Sequence, residues 1–214
     1  MSTFDWQNFL ENWSQEYLTC TQKTNDLPLE VLASGWIGFP GATEGQLAAA
    51  EDRLSVHLPA SYREFLKISN GWRQTTPFIY RVLAIEEVEW FHVRHADWIA
   101  SFSQRNSCNK SLTPVNNLSN GASSSYSVAD AEYFIYGNEQ DCSKVRVEYL
   151  SSSLEISEKG ESSIYLLNPK VVNSEGEWES WFFGDWLPGA DRYPSFQSMM
   201  EAEYRNFLDL QDVL

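Results

Sequence analysis

Apolar residues return every three to four positions through Trp6, Phe9, Leu10, Trp13 and Tyr17, with acids and amides between them, which predicts an amphipathic opening helix. After the loop Gly35-Trp36-Ile37-Gly38-Phe39-Pro40-Gly41, Thr43 and Gln46 stand at capping-box spacing. The helix they open puts Leu47, Ala50 and Leu54 on one face. Leu58-Pro59 restarts the chain, since proline suits a first helical turn. A third helix then turns Tyr62, Phe65 and Leu66 inward, and Asn70-Gly71 is expected to stop it with a left-handed cap.

From Phe78 to Leu83 a short strand is predicted, then a helix or helix pair around Glu86–Phe102. Residues 103–127 shift to Ser, Asn and Thr with little to bury, so they read as an exposed loop or insertion. Beyond them the period changes to two. Tyr133–Gly137, Val145–Leu150, Ser163–Leu167 and Trp178–Phe183 are predicted strands, separated by Gly137-Asn138-Glu139, Glu158-Lys159-Gly160 and Ser174-Glu175-Gly176. Connections this short imply antiparallel pairing, because a parallel crossover needs roughly a dozen residues or more. Phe196, Met199, Met200, Tyr204, Phe207 and Leu208 form a closing helical stripe. Helices, then a meander, then a helix describe an α+β fold, one sheet covered on one side by helices, as a single domain over residues 1–214.

Composition adds that this core needs no staple. Hydrophobic residues make up 43% of the 214 residues and aromatics 14%, enough for a core without disulfides or a structural metal. Cys20, Cys108 and Cys142 are odd in number and far apart, against a disulfide framework or a thiolate zinc site. The start MSTFDWQNFLENW lacks a basic, apolar leader, and no stretch approaches the ~20 apolar residues of a membrane span. A cytoplasmic protein is expected. Thirty acids against fifteen bases leave a net charge of -15, which repels nucleic acid and anionic membranes and attracts a basic protein partner.

Candidate chemistry is sparse. His92 and His95, with Asp97 near, could present two imidazoles on one helix face, but a third ligand and a catalytic glutamate at metalloprotease spacing are missing; surface or half-buried histidines are the plainer reading. His57 reads as helix-end solvation. Neither a GxSxG elbow nor a phosphate-cradling glycine loop occurs. No catalytic residue, metal ligand or cofactor is therefore assigned. Glu86, Glu87 and Glu89, or Glu177 with Glu179 as a glycosidase-type pair, read better as charged element faces. The densest segment runs from Gly176 to Ala190, with three tryptophans within nine positions. Alternation sends Trp178, Ser180 and Phe182 one way and Glu177, Glu179, Trp181 and Phe183 the other. One set can enter the core; the other needs a helix, a partner or water. Aromatics and arginine are typical binding anchors, so Glu177, Glu179, Trp181, Asp185, Trp186 and Arg192 form the candidate partner-binding set.

The run GFPGATEGQLAAAEDRLSVHLPASYREFLKISNGW resembles the signature of the SUKH (Smi/Knr) superfamily, through Gly38 and Gly41, Leu47–Leu54, Leu58-Pro59, Tyr62, Phe65-Leu66 and Asn70-Gly71. SSIYLLNP, GEWESWFFGDWLPGADRYPSF and MMEAEYRNFL resemble the C-terminal half of bacterial members, so the likeness spans about residues 30–210. It implies an α+β fold with a mixed or antiparallel sheet flanked by helices. It also implies an immunity protein that binds and neutralises a cognate toxin, often a nuclease. A regulatory interaction scaffold without a toxin is the alternative. An enzyme acting on carbohydrate or peptide rests only on spare carboxylates and tryptophans. The family brings no catalytic motif and no fixed partner-reading residues.

Overall fold

The computed structural model describes residues 4–19, 27–110 and 128–211. The opening helix, α1 (Trp6–Thr19), buries Trp6, Leu10, Trp13 and Tyr17, and short α2 (Leu29–Ser34) leads into the glycine loop. Helix α3 (Glu44–Leu54) starts on its capping box. Thr43 Oγ1 accepts from the Gln46 N–H at 3.2 Å, and the Thr43 N–H donates to Gln46 Oε1 at 2.8 Å. Each bond satisfies a backbone donor that a helix start leaves unpaired. Helix α4 (Ala60–Ile68) buries Tyr62, Phe65 and Leu66 as expected.

The α4 terminus differs from the reading of Asn70-Gly71 as a left-handed cap. Ser69 closes the helix in an extended conformation, with its N–H on Phe65 O at 2.8 Å. Gly71 (φ +106°) instead leads into the next strand, at a point where a Cβ would stand 2.8 Å from Val82 O. The glycine is demanded by the close approach of the hairpin partner, not by the helix.

That partner pairing is β1 (Trp72–Thr76), which local sequence did not announce, with β2 (Ile79–Val82). Two residues of β3 (Glu89–Trp90) precede α5 (Phe91–Arg94) and α6 (Ala96–Lys110), so the expected helix pair exists but begins later and runs into the presumed polar loop. The rest of that loop, 111–127, lies outside the described residues. Two expected strands are not strands. Residues 133–137 end the single turn α7 (Asp130–Tyr133) and enter a 3-10 turn, Gly137–Glu139; residues 145–150 enter another, Val147–Ser152. There the backbone bonds locally, Tyr149 N–H to Arg146 O and Ser153 N–H to Leu150 O. The alternation of Val145, Val147 and Tyr149 is met by side-chain anchoring: Arg146 donates to Val128 O at 2.7 and 3.0 Å and stacks 4.5 Å from the Tyr133 ring.

The presumed turn at Glu158-Lys159 is itself strand. Residues 154–159 supply β4 (Leu154–Glu155) to one sheet and β5 (Ser157–Lys159) to another, with Ile156 buried at the crossing. β6 (Ser163–Val172), β7 (Trp178–Gly184) and β8 (Ala190–Tyr193) follow, then α8 (Phe196–Gln211). The sheets are β1-β2-β5 and β3-β4-β6-β7-β8, and every pairing is antiparallel.

The larger sheet is covered on both faces, not one. Trp178 and Phe182 of β7 face the main core with α1, α4 and α8, where Phe196 packs 4.8 Å from Tyr62 and 5.0 Å from Phe65. Trp181 and Phe183 face a second core built from Phe91, Phe102, Tyr133 and Leu150. Phe183 alone meets Trp98 at 5.0 Å and Phe102 at 5.1 Å. Both alternating sets of the tryptophan-rich strand are thereby buried, which explains why it carries more aromatics than one face can use.

Candidate functional site

The six residues grouped by sequence separate into three environments. Glu179, Trp181 and Arg192 converge inside the protein. Cross-strand pairing of Trp181 with Arg192 brings the arginine of β8 against β7. Glu179 Oε2 accepts from Trp181 Nε1 at 2.6 Å, Tyr133 OH at 2.7 Å and Asn168 Nδ2 at 2.9 Å. Its Oε1 accepts from Tyr136 OH at 3.0 Å and lies 3.5 Å from Arg192 Nη1. Arg192 also donates to Tyr133 O and stacks 4.2 Å from the Tyr133 ring, and Gln140 ties its backbone at both N–H and C=O. Burial and the Glu179 charge push both the Tyr133 and Tyr136 hydroxyls up, so they remain donors. With both charged side chains at 0% exposure, this cluster has no surface to offer a partner; it fastens the irregular 130–152 segment to the sheet. Sequence alone assigned these residues to binding because a buried charge pair and an interface anchor have the same composition.

Glu177 has a different task. Pro59 offers no side-chain cap to α4, and Glu177 supplies one from across the fold: Oε1 accepts from the Ser61 N–H at 2.8 Å and Oε2 from its hydroxyl. A carboxylate on a helix N-terminus is favourable for both dipole and donor. With Glu177 on a helix start and Glu179 in the buried cluster, each acid of the pair considered for glycoside chemistry already has its partners. Glu86, Glu87 and Glu89 are likewise occupied, by Asn70 and Gln46, by Arg81, and by Arg53. His92 Nδ1 sits 2.6 Å from Ser151 O, while His95 Nε2 faces Glu155 at 3.1 Å, so the two imidazoles serve different neighbours. Among the described residues no group of three or more His, Cys, Asp or Glu is placed to hold a metal ion.

Asp185 and Trp186 reach the surface. They follow β7 in the turn to β8, where the Asp185 N–H bonds Ser162 O at 3.1 Å. Trp186 is 55% exposed, yet its Nε1 donates to Ser163 Oγ at 2.9 Å, so the ring is held rather than free to swing. It forms one wall of a cleft of about 290 Å³, together with Phe78 and Phe182, each ring 6.2 Å away. The rest of the lining is acidic: Asp191 of β8, the cross-strand neighbour of Phe182, and Glu203 and Asp209 of α8, with Asn206 and Leu210. No described base lines the cleft.

Two of these acids are held in unusual states. Glu203 is 3% exposed; Oε2 accepts from Tyr165 OH at 2.5 Å and Oε1 from Asn206 Nδ2 at 3.1 Å, both neutral donors. Burial outweighs those bonds and raises its carboxyl to about 7. Burial also pushes the Asp191 carboxyl up, and Asp191 makes no side-chain hydrogen bond or ion pair among the described residues. The cleft thus combines aromatic rings with acids that no described cation neutralises, a combination that can hold a cation. Sequence reasoning missed Asp191, Glu203, Asp209 and Phe78. One signal was available: Glu203 stands four positions after Met199 and four before Phe207, an acid in the apolar stripe of α8.

Compared with families of known proteins, residues 41–202 match the SMI1 / KNR4 family (SUKH-1). No curated protein matches the chain.

Proposed function

The chain belongs to the SMI1/KNR4 family (SUKH-1), and from that premise we propose that it is an immunity-type protein, which neutralises a cognate toxin by covering its basic surface without making or breaking a bond. The observation that carries this reading is the acidic cleft, whose acids no described cation neutralises, in a chain of net charge -15. A toxin acting on nucleic acid must present positive charge to phosphate, and a surface complementary to that charge both speeds encounter and blocks the substrate path. The residues through which this chain resembles the family, Leu47, Leu54, Leu58, Tyr62, Phe65 and Leu66 among them, are buried in the core, which leaves partner reading to other side chains.

The test is a binding measurement between the purified chain and the toxin-like product of the adjacent gene at low and high salt, with the toxin's activity read in parallel. A complex that weakens steeply with salt and silences the toxin is the expected result. A complex with a partner that has no toxic activity would move the chain to the regulatory branch of the family. Turnover of a substrate by the chain itself would end the binding reading.

A further inference from the structure

We propose that the cleft between Trp186 and α8 receives one cationic side chain, lysine or arginine, from the protein partner. This rests on the binding reading above and adds to it the contact that recognises the partner. Three features converge. The ring of Trp186 is more than half exposed but pinned through Ser163, which presents a fixed aromatic face to the cleft. Such a face attracts a cation through its quadrupole, most strongly where water is partly excluded. In the same cleft, Asp191 is half-buried with no side-chain hydrogen bond or ion pair among the described residues, and the described partners of buried Glu203 are neutral donors. Of the other buried glutamates, Glu179 lies beside Arg192 and Glu155 beside Arg94 and His95, while Glu177 spends its charge on the start of α4. The third feature is size. About 290 Å³ falls at the lower end of small-ligand pockets, room for one long side chain rather than a helix.

A guanidinium or ammonium entering between the rings and the acids would supply the missing counter-charge. Its aliphatic stem would lie along Phe78 and Leu210. A bare divalent ion fits less well, because the aromatic wall offers no oxygen ligands and divalent cations of this kind take six or more of them.

The experiment uses the full chain and N-acetyl-arginine amide, followed through the indole N–H resonance of Trp186. N-acetyl-citrulline amide, the same shape without charge, and calcium ion are run beside it. Saturable displacement by the arginine amide alone is expected, weakened about tenfold in Asp191→Asn. Equal responses to arginine and citrulline amides, no saturable response, or a response to calcium alone would overturn the assignment. Asp191→Asn is then carried into the toxin-binding assay. If the wild-type chain binds the toxin and this variant binds equally well, the cleft assignment fails while the binding function stands; if the wild type binds no protein while the amide still saturates the cleft, the binding function fails instead.

Discussion

Two glutamates, Glu179 and Glu203, are withdrawn from water almost equally, at 1% and 3% exposure, yet their surroundings differ in one decisive respect. Glu179 is met by three neutral hydrogen-bond donors on one oxygen, a tyrosine on the other and the Arg192 guanidinium beside it. Glu203 is met by one tyrosine and one asparagine, and its side faces a cleft. A carboxylate enclosed with a cation is finished chemistry: it holds parts together and has nothing left to offer. A carboxylate enclosed without one carries an unpaid desolvation cost that an incoming cation can relieve. Burial alone does not separate structure from function here; the presence of the counter-charge does.

The largest expected effect breaks the finished side of the comparison. Arg192→Met removes the cation and leaves Glu179 charged and enclosed, which should cost about 3–5 kcal/mol of unfolding free energy. Urea denaturation at neutral pH measures it. The irregular 130–152 segment should also lose protection in hydrogen exchange, since Arg192 donates to Tyr133 O and its backbone holds Gln140. A loss below about 1 kcal/mol would mean that the pair is not the fastening we describe.

The second effect has the opposite sign. Glu203 is raised from 4.5 to about 7 by burial, so the folded protein binds a proton in a range where the unfolded chain has released it. Stability from this group is therefore fully present below pH about 4.5 and is lost as pH rises toward and through about 7, a span worth about 3 kcal/mol. Glu203→Gln keeps the shape without the charge. It should be more stable than the parent by up to that amount at pH 8 and indistinguishable near pH 4. Taking the difference between the two proteins cancels the carboxylates that behave in the ordinary way, such as Glu44 and Glu87, whose partners Lys67 and Arg81 hold them low. A pH-independent difference would show that Glu203 does not carry the strain.

A third carboxylate tests the intermediate case. Glu177 is nearly buried but spends its charge on a helix start, so Glu177→Ala should cost about 1 kcal/mol, the usual worth of a cap. Ser61→Ala removes only the hydroxyl partner and should cost less.

The helical half was legible in the sequence because its signals are local. A capping box, a proline before a helix and a stripe at three-to-four spacing each act within one turn, and α1, α3, α4 and α8 followed them. The sheet was legible only where one strand carried its own pattern, as in β6 and β7. β8 reads Ala-Asp-Arg-Tyr and has no strand pattern; it is a strand because β7 lies beside it and because Arg192 finds Glu179. Residues 145–150 show the converse, a clean alternation with no neighbour to pair with, met instead by Arg146 reaching Val128. The site was half legible for the same reason. Trp186 and Asp185 stood out as an aromatic and an acid in a turn, but whether Trp181 or Trp186 reaches water depends on what the other face of the sheet packs against. Partners distant in sequence decide it.

The smallest effect sharpens the comparison most finely. Asp191 lines the same cleft as Glu203, is only partly enclosed, and has no hydrogen bond or ion pair of its own among the described residues. If its charge is held in reserve for a ligand, Asp191→Asn should change stability by no more than about 0.5 kcal/mol, and in the favourable direction, because burial already disfavours the charged form. The same change should lower the Glu203 carboxyl slightly, since the Asp191 charge contributes to raising it, so the parent-like pH profile should slide toward lower pH. Thermal melts between pH 5 and 8 read both outcomes at once. A destabilisation above about 1 kcal/mol would mean that Asp191 is fastened like Glu179, and the line drawn between the two kinds of buried acid would then have to be moved.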